Sequence, residues 1–302
     1  MLGNMTDQSP PAWAERVVVG VDASEPAHAA ARWAAEEAVT RGRGLTLASA
    51  VLPAATVGGF GMPPAWDYLD ALRAEAVEQL RAMAKDLPGE DIDVSVDVAT
   101  PGALLIEASK SAHLVVLGSR GTGGFAGLLL GSVGSQVAAN AECPVVVWRG
   151  APRSGADTIV VGIDGSPNSE AALGAAFEMA SFHGWSLIAV HAWDIPAYEL
   201  IETPEGVMPL PVADVAEDEV RLSAQVLAGH RERYPDVSVH EHLARGPAPK
   251  ALLEHAADAA MITVGTRGRG AFLSAVLGSV SNAVLHKADV PVMVVPLTEA
   301  GA

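Results

Sequence analysis

The stretch Leu114–Ser132, with the sequence LVVLGSRGTGGFAGLLLGS, decides the fold that we expect, and it recurs at Met261–Ser279 as MITVGTRGRGAFLSAVLGS. In both copies an apolar run leads into two glycines, and a Gly-Ser pair follows after nine further residues. The motif positions are Gly118, Gly121, Gly131 and Ser132 in the first copy and Gly265, Gly268, Gly278 and Ser279 in the second. A strand that opens into a glycine loop before a helix suits an anion, because the backbone approaches closely and free N–H groups face the charge. The sequence therefore predicts one nucleotide-phosphate site per copy.

This loop differs from two well-known phosphate loops. No lysine precedes Ser132 or Ser279, as a Walker A motif would require, and no G-x-G-x-x-G follows the first strand. We therefore expect backbone N–H groups and the two serines to hold the phosphates, with Arg120 and Arg267 adding positive charge. A glycine loop with a purely structural role is the alternative. The identical spacing of the two copies favours a ligand.

The rest of the chain repeats in the same order. Val17–Asp22 and Ile159–Asp164 are apolar runs without alternation, which predicts first strands buried on both faces. The two aspartates are 142 residues apart, whereas Gly118 and Gly265 are 147 apart, so the second half has five extra residues between these anchors. The long loop 194–211 is their natural place. Strands that alternate with helices predict a parallel sheet covered on both faces in each half.

Asp22 and Asp164 end the first strands and have two interpretations. Each carboxylate either caps the next helix or accepts from turn N–H groups, or it accepts from a ribose hydroxyl or an adenine amine. Ligands of parallel sheets bind at the carboxyl ends of the strands. If strand 1 neighbours strand 4, Asp22 and Gly118 border one crevice, and Asp164 and Gly265 border the other.

Length and composition limit the classes of protein to which the chain can belong. The 302 residues suggest two domains, which we place at 15–150 and 157–298, with a disordered tail at 1–14 and a linker at 151–156. The net charge is −17 and both halves are acidic, which argues against a nucleic-acid partner. The one cysteine, Cys143, is expected to be buried and inert. No run of about 18 apolar residues occurs, so we expect a cytoplasmic protein that does not contact the membrane.

Other candidate metal or catalytic sites have less support in the sequence. His240 and His242 alternate on a predicted strand and could form a metal pair, but no third ligand is evident, so we predict no protein metal site. His191 lies where the first half has Ser49, which argues against an imidazole that both sites need. No G-x-S-x-G elbow occurs, and no catalytic residue is assigned.

At this point the chain resembles the universal stress proteins in their tandem form. The resemblance rests on the pattern G-x2-G-x9-G-[S/T] in both copies, together with the strand-1 aspartates, and covers about residues 15–297. It implies two Rossmann-like α/β domains of the adenine nucleotide alpha hydrolase-like type. Each would have five parallel strands in the order 3-2-1-4-5. The last strands of the two domains would pair antiparallel, giving an internal pseudo-dimer that pairs again as a homodimer.

The resemblance also implies a site for ATP, with or without Mg²⁺, in each domain. Asp22 and Asp164 would contact the nucleoside. The backbone at Ala50 and Ala192 would contact adenine. The loop glycines and serines would hold the phosphates, together with the next residues, Val133 and Val280. A further hydroxyl is present as Ser281, but the first copy has Gly134 there, so we expect the second site to be the more complete.

The function that follows is an ATP-dependent sensor or regulator in stress response or growth. Two alternatives stay open. One is a slow ATPase or nucleotidyl-transfer enzyme, although no base and positioned water are evident in both copies. The other is a protein-interaction scaffold without bound nucleotide. The downstream partner is not indicated by the sequence.

Overall fold

The structure is a computed structural model that describes residues 13–52, 66–121, 130–193, 200–203, 206–209, 212–268 and 277–297. The predicted loop at 53–64 and most of the predicted tail lie outside these residues. Trp13 and Ala14, which the prediction placed in the tail, are among the described residues. The Trp13 side chain packs against an apolar cluster, and its carbonyl accepts from the Arg16 N–H at 3.2 Å.

The first half alternates five strands with four helices. In order, these are β1 (Val17–Gly20), α1 (Glu25–Thr40), β2 (Leu45–Ala50), α2 (Trp66–Ala84), β3 (Ile92–Asp97), α3 (Pro101–Ser109), β4 (Leu114–Gly118), α4 (Ser132–Asn140) and β5 (Val145–Trp148). Ser24 and Thr100 cap α1 and α3 through their side-chain oxygens, and a proline follows within the first turn of each helix. These are sequence-local signals for helix starts, which explains why the helix starts are predictable.

The second half repeats this order and adds a hairpin. Its elements are β6 (Thr158–Ile163), α5 (Pro167–His183), β7 (Ser186–Trp193), β8 (Leu200–Thr203), β9 (Gly206–Pro209), α6 (Val212–Arg233), β10 (Val239–Arg245), α7 (Ala248–Glu254), β11 (Met261–Gly265), α8 (Ser279–Lys287) and β12 (Val292–Val295), with a short 3-10 turn at Ala256–Asp258. The predicted long loop at 194–211 contains the two short strands β8 and β9. β8 and β9 pair antiparallel there as a separate two-stranded sheet.

The ten other strands form one continuous sheet in the order β10-β7-β6-β11-β12-β5-β4-β1-β2-β3. Each half has the predicted order 3-2-1-4-5, with parallel neighbours. The two halves join where β5 and β12 pair antiparallel, with Val147 opposite Val292 and Val145 opposite Val294. Both the strand order and the antiparallel junction confirm the predictions.

The sheet separates two apolar clusters. On one face, α1, α2, α5 and α6 pack against strand residues such as Val17 and Ile159. On the other face, α3, α4, α7 and α8 pack against residues such as Val115 and Ile262. Strands covered on both faces need apolar residues at successive positions, and this requirement explains their unbroken apolar runs.

The five extra residues of the second half are divided between a loop and a helix. Leu45 pairs with Ile92 and Leu187 pairs with Val239, so the offset between halves changes from 142 to 147 between strands 2 and 3. Four extra residues precede the helix, since Leu187 to Val212 spans 25 positions against 21 from Leu45 to Trp66. The helix α6 adds three, with 22 residues against 19 in α2, and the connection after it is two residues shorter. The loop alone does not contain the insertion, because the longer helix takes part of it. Within the described chain, no helix is long and apolar enough to cross a membrane.

Candidate nucleotide site

Each predicted aspartate lies where its first strand ends and the next helix begins. Asp22 Oδ1 accepts from the Ser24 N–H at 3.0 Å, and Asp164 Oδ1 accepts from the Ser166 N–H at 2.9 Å. Ser24 and Ser166 in turn cap α1 and α5. One carboxylate oxygen therefore has the structural role that the sequence left open, and it fixes the orientation of the carboxylate.

The second carboxylate oxygen faces the glycine loop. A Cβ atom at position 121 would lie 2.5 Å from Asp22 Oδ2, and one at position 268 would lie 2.6 Å from Asp164 Oδ2. Any side chain at Gly121 or Gly268 would thus displace the carboxylate. The aspartate and the loop form a single site in each half, because β1 neighbours β4 and β6 neighbours β11.

The first glycine of each loop has a packing role. A Cβ atom at Gly118 would lie 2.9 Å from the backbone carbon of Pro26, and one at Gly265 would lie 2.7 Å from the Asn168 carbonyl oxygen. These atoms belong to the first turns of α1 and α5. Gly118 and Gly265 are therefore required for the close approach of helix to strand, a reason that the sequence interpretation missed.

The loops lead into helix N-termini that no side chain of the described residues caps. Gly131 and Gly278 are the N-caps of α4 and α8, in contrast to the serine caps of α1 and α5. One hydrogen bond joins the two ends of each glycine loop. The Gly131 N–H donates to the Ser119 carbonyl at 2.8 Å, and the Gly278 N–H donates to the Thr266 carbonyl at 2.8 Å. The N–H groups of a first helical turn have no partner within the helix, and they carry the positive end of the helix dipole. Both helix starts are suited to an anion.

A cavity lies at each of these places. The first has a volume of about 370 Å³ and the second about 290 Å³. The first contains every residue predicted for its site, namely Asp22, Ala50, Gly118, Arg120, Gly121, Gly131, Ser132 and Val133. The second contains Asp164, Ala192, Gly265, Arg267, Gly268, Gly278, Ser279, Val280 and Ser281. The structure thus brings all the predicted residues of each half together.

Sequence reasoning missed the apolar floor of the cavities. Ala48, Leu105 and Leu117 line the first, and their counterparts Val190, Leu252 and Val264 line the second. Ala48 and Val190 lie two residues before Ala50 and Ala192, so the same side of the pleated strand carries them. That periodicity was a signal in the sequence that could have identified them. An apolar floor with a few polar groups at its edge is typical of small-molecule sites.

Ser281, the hydroxyl that distinguishes the second copy, is buried and donates to the Gly265 carbonyl at 2.5 Å. In the first copy, Leu130 and Leu117 occupy the neighbourhood of Gly134. A Cβ atom there would lie 3.0 Å from Leu130 Cδ1 and 3.5 Å from Leu117 Cδ1. The extra serine therefore ties the end of β11 to α8.

Three of the histidines, His191, His242 and His255, contact other groups of the protein. His191 is buried, with its Nδ1 2.9 Å from the Ile163 carbonyl oxygen, just before Asp164. The rings of His242 and His255 meet edge to face at 4.5 Å between centroids. The described part of the chain has no group of three or more His, Cys, Asp or Glu that could hold a metal ion.

Comparison with known proteins identifies the family of this fold and loop. The model of the universal stress protein family matches twice, at residues 14–149 and 155–296. The chain belongs to the universal stress protein family. The two matches agree with the repeat of strands, helices and glycine loops in the two halves.

Similar proteins are tandem members of the same family. A universal stress protein of Mycolicibacterium smegmatis is 38% identical over 293 residues, covering 92% of this chain and 96% of that protein. One of Mycobacterium tuberculosis is 40% identical over 288 residues, with the same coverage of 92% and 96%. The crystal structure of a universal stress protein from Archaeoglobus fulgidus has a TM-score of 0.68 and 22% identity, and it covers 93% of this chain and 98% of that one. That likeness supports the fold.

Proposed function

We propose that this universal stress protein binds an adenine nucleotide in each half and acts as a nucleotide-dependent sensor or regulator. The observation that carries the proposal is the repeated arrangement of a strand-end aspartate against a loop glycine, beside an uncapped helix N-terminus. Asp22 lies against Gly121 in this way, and Asp164 lies against Gly268. A repeated cradle of this kind supplies a carboxylate acceptor at one end and backbone N–H donors at the other, which are the complements of a nucleoside and a phosphate chain.

The residues present fit ATP in chemical type. The apolar floor offers a surface for a base, and exposed Ser132 and Ser279 begin the helices at the phosphate end. Arg120 and Arg267 border the same cavities and would offset phosphate charge. Because the described residues hold no cluster of metal-binding side chains, Mg²⁺ would bind mainly through phosphate oxygens and water. ATP with Mg²⁺ is therefore the ligand that we propose.

The first experiment asks for bound nucleotide directly. The purified chain is denatured, and released nucleotide is measured by ultraviolet absorbance and identified by chromatography. The nucleotide-free protein is then titrated with ATP by calorimetry. We expect two sites per chain. The double variant Gly121→Ala plus Gly268→Ala should lose binding at least tenfold, since each added Cβ would overlap an aspartate oxygen.

A matched control is Gly229→Ala on α6, where an added Cβ meets nothing within 4 Å. This variant should bind ATP like the wild type. The proposal would be contradicted if the wild type did not bind ATP, or if the double variant bound ATP as tightly as the wild type. Light scattering of the same samples tests the homodimer that we include in it, and a monomer in both nucleotide states would remove that part.

A further inference from the structure

We propose that the two sites are unequal and that the first binds the adenine end of a nucleotide more tightly than the second, the reverse of the order expected from Ser281. The inference rests on the proposed nucleotide binding and assigns its specificity to the floor residue at positions 48 and 190. It begins from the cavities, which differ in volume by about 80 Å³ (370 against 290 Å³) although their backbones are equivalent.

The two cavities differ at several lining positions, and the one at the floor beside the adenine contact is a side chain on strand 2. Ala48 and Val190 are equivalent, because Gly20 pairs with Ala48 and Gly162 pairs with Val190. Both are buried and belong to the cluster on the cavity side of the sheet. Valine adds two methyl groups to the floor, next to the backbone of Ala192 that would meet adenine. The second site is therefore shallower where a flat ring has to enter.

Two neighbouring differences do not restore the lost space. Val264 is smaller than its counterpart Leu117, but Leu117 fills space beside Gly134 together with Leu130, and its Cδ1 would lie 3.5 Å from a Cβ atom at position 134. Ser281 occupies that place in the second half, and its hydroxyl is used by the Gly265 carbonyl at 2.5 Å. The serine thus fills space at the phosphate end without offering its proton to a phosphate.

One methylene more or fewer on a ligand changes discrimination by an apolar pocket about 10-fold to 200-fold, and we expect a change in the pocket wall to act on the same scale. The two methyl groups of Val190 are therefore sufficient to separate the two sites by about tenfold or more. Because the difference lies at the base end, it should be present for adenosine as well as for ATP. Inorganic phosphate should not distinguish the sites.

The test isolates each site and then exchanges the floor residues. Gly268→Val leaves only the first site, and Gly121→Val leaves only the second. Each chain is titrated with ATP and with adenosine by calorimetry. We expect the Gly268→Val chain to bind both ligands about tenfold or more tightly than the Gly121→Val chain. Adding Ala48→Val to the former should weaken binding about tenfold, and adding Val190→Ala to the latter should strengthen it about tenfold.

The outcomes separate this inference from the function on which it depends. Equal sites, a tighter second site, or exchanges without effect would overturn the inference while two-site ATP binding stands. Wild type that binds neither ATP nor adenosine would overturn the proposed function. Ala48→Val adds bulk to the core, so its circular dichroism spectrum is compared with that of its parent. The reverse exchange, Val190→Ala, tests the same floor position without added bulk.

Discussion

At the scale of single residues, the loop glycines divide into two kinds. Gly121 and Gly268 lie against the site aspartates, whereas Gly118 and Gly265 lie against the first turns of α1 and α5. The motif spacing predicts that glycine is needed at all four positions. It does not indicate that the first glycine of each pair serves the packing of the fold.

This division predicts different effects of alanine substitution. Gly118→Ala and Gly265→Ala should each lower the free energy of unfolding by about 1–3 kcal/mol, because the new Cβ meets backbone that cannot move aside. Urea denaturation followed by circular dichroism measures the change. Gly229→Ala on exposed helix surface should be neutral or stabilising by up to about 1 kcal/mol. A stability of Gly118→Ala equal to that of Gly229→Ala would contradict the packing role.

Cys143 agrees with its sequence interpretation. Its side chain is buried ahead of β5, and burial raises the pKa of the thiol to about 12. The thiolate is therefore scarce at neutral pH, and the residue packs as a small apolar group. Burial before an apolar strand was predictable here because the neighbouring residues already indicated a strand covered on both faces.

At the scale of elements, α8 joins the second site to the first half of the chain. Its N-terminus begins at Ser279 in the site, and its C-terminus receives the Arg149 side chain, which follows β5. Arg149 Nε donates to the Ala288 carbonyl at 2.9 Å, and a terminal nitrogen donates to the His286 carbonyl at 3.0 Å. A cation at a helix C-terminus hydrogen-bonds the last carbonyl groups and interacts favourably with the negative end of the helix dipole.

Removing this cap should measurably destabilise the folded protein. Arg149→Ala leaves two partly buried carbonyls without their donor, so we expect a loss of about 1–3 kcal/mol in the free energy of unfolding. Arg153→Ala is the matched control, since Arg153 pairs with Asp258 at the surface, where ion pairs contribute about 0–1 kcal/mol. Both variants are compared in urea. Equal, small losses would show that Arg149 does not stabilise the end of α8.

The elements themselves were largely predictable. Buried strands, serine caps and glycine loops are local signals, and the strand and helix order follows from them. The hairpin β8–β9 was not predicted, because the short segments Leu200–Thr203 and Gly206–Pro209 lie within a stretch rich in proline and charge. Short strand segments whose pairing is local to one hairpin carry little periodic signal.

At the scale of the whole molecule, a buried ionic cluster joins α1 to α5 beside the antiparallel junction. Glu37 has a fully buried side chain and accepts from Arg41 and, at 2.7 Å, from His183 of the other half. Arg41 also donates to Glu178 at 2.7 Å and to His113 Nε2 at 2.9 Å. Burial raises the pKa of Glu37, but the His183 hydrogen bond and the Arg41 charge outweigh it, so that the pKa lies below its ordinary value.

This cluster predicts a loss of stability in mild acid. Burial, then the charges of Arg41 and Arg43, lower the pKa of His113 below 6.5. An unfolded chain therefore binds more protons than the folded one just below pH 6.5, so the stability contributed by neutral His113 is complete above that pH and is lost as the pH falls. Burial also lowers the pKa values of His230 and His255, which adds to the effect. We expect the urea midpoint to fall from pH 7.5 to pH 5.5, before Glu37 titrates.

The variant His113→Gln tests the assignment. Its amide oxygen can accept from Arg41 without titrating, so the fall of the urea midpoint below pH 6.5 should become shallower. His28→Gln, at an exposed position of α1, should leave the pH dependence unchanged. A wild-type midpoint that stays constant from pH 7.5 to pH 5.5, or an identical slope in both variants, would show that His113 does not link stability to protons.

The sequence by itself determined the repeat, the strands, the helix starts and the candidate residues of both sites, because each depends on neighbours within a few positions. The tertiary structure decided which oxygen of Asp22 faces Gly121, where the hydroxyl of Ser281 is directed, and which residues of other elements line the same cavity as Ala48 or Val190. These features depend on contacts between segments up to about a hundred residues apart, and neither motif spacing nor hydrophobic periodicity encodes such contacts. The shared backbone geometry makes the two sites alike, and the packing of side chains from distant segments makes their cavities differ.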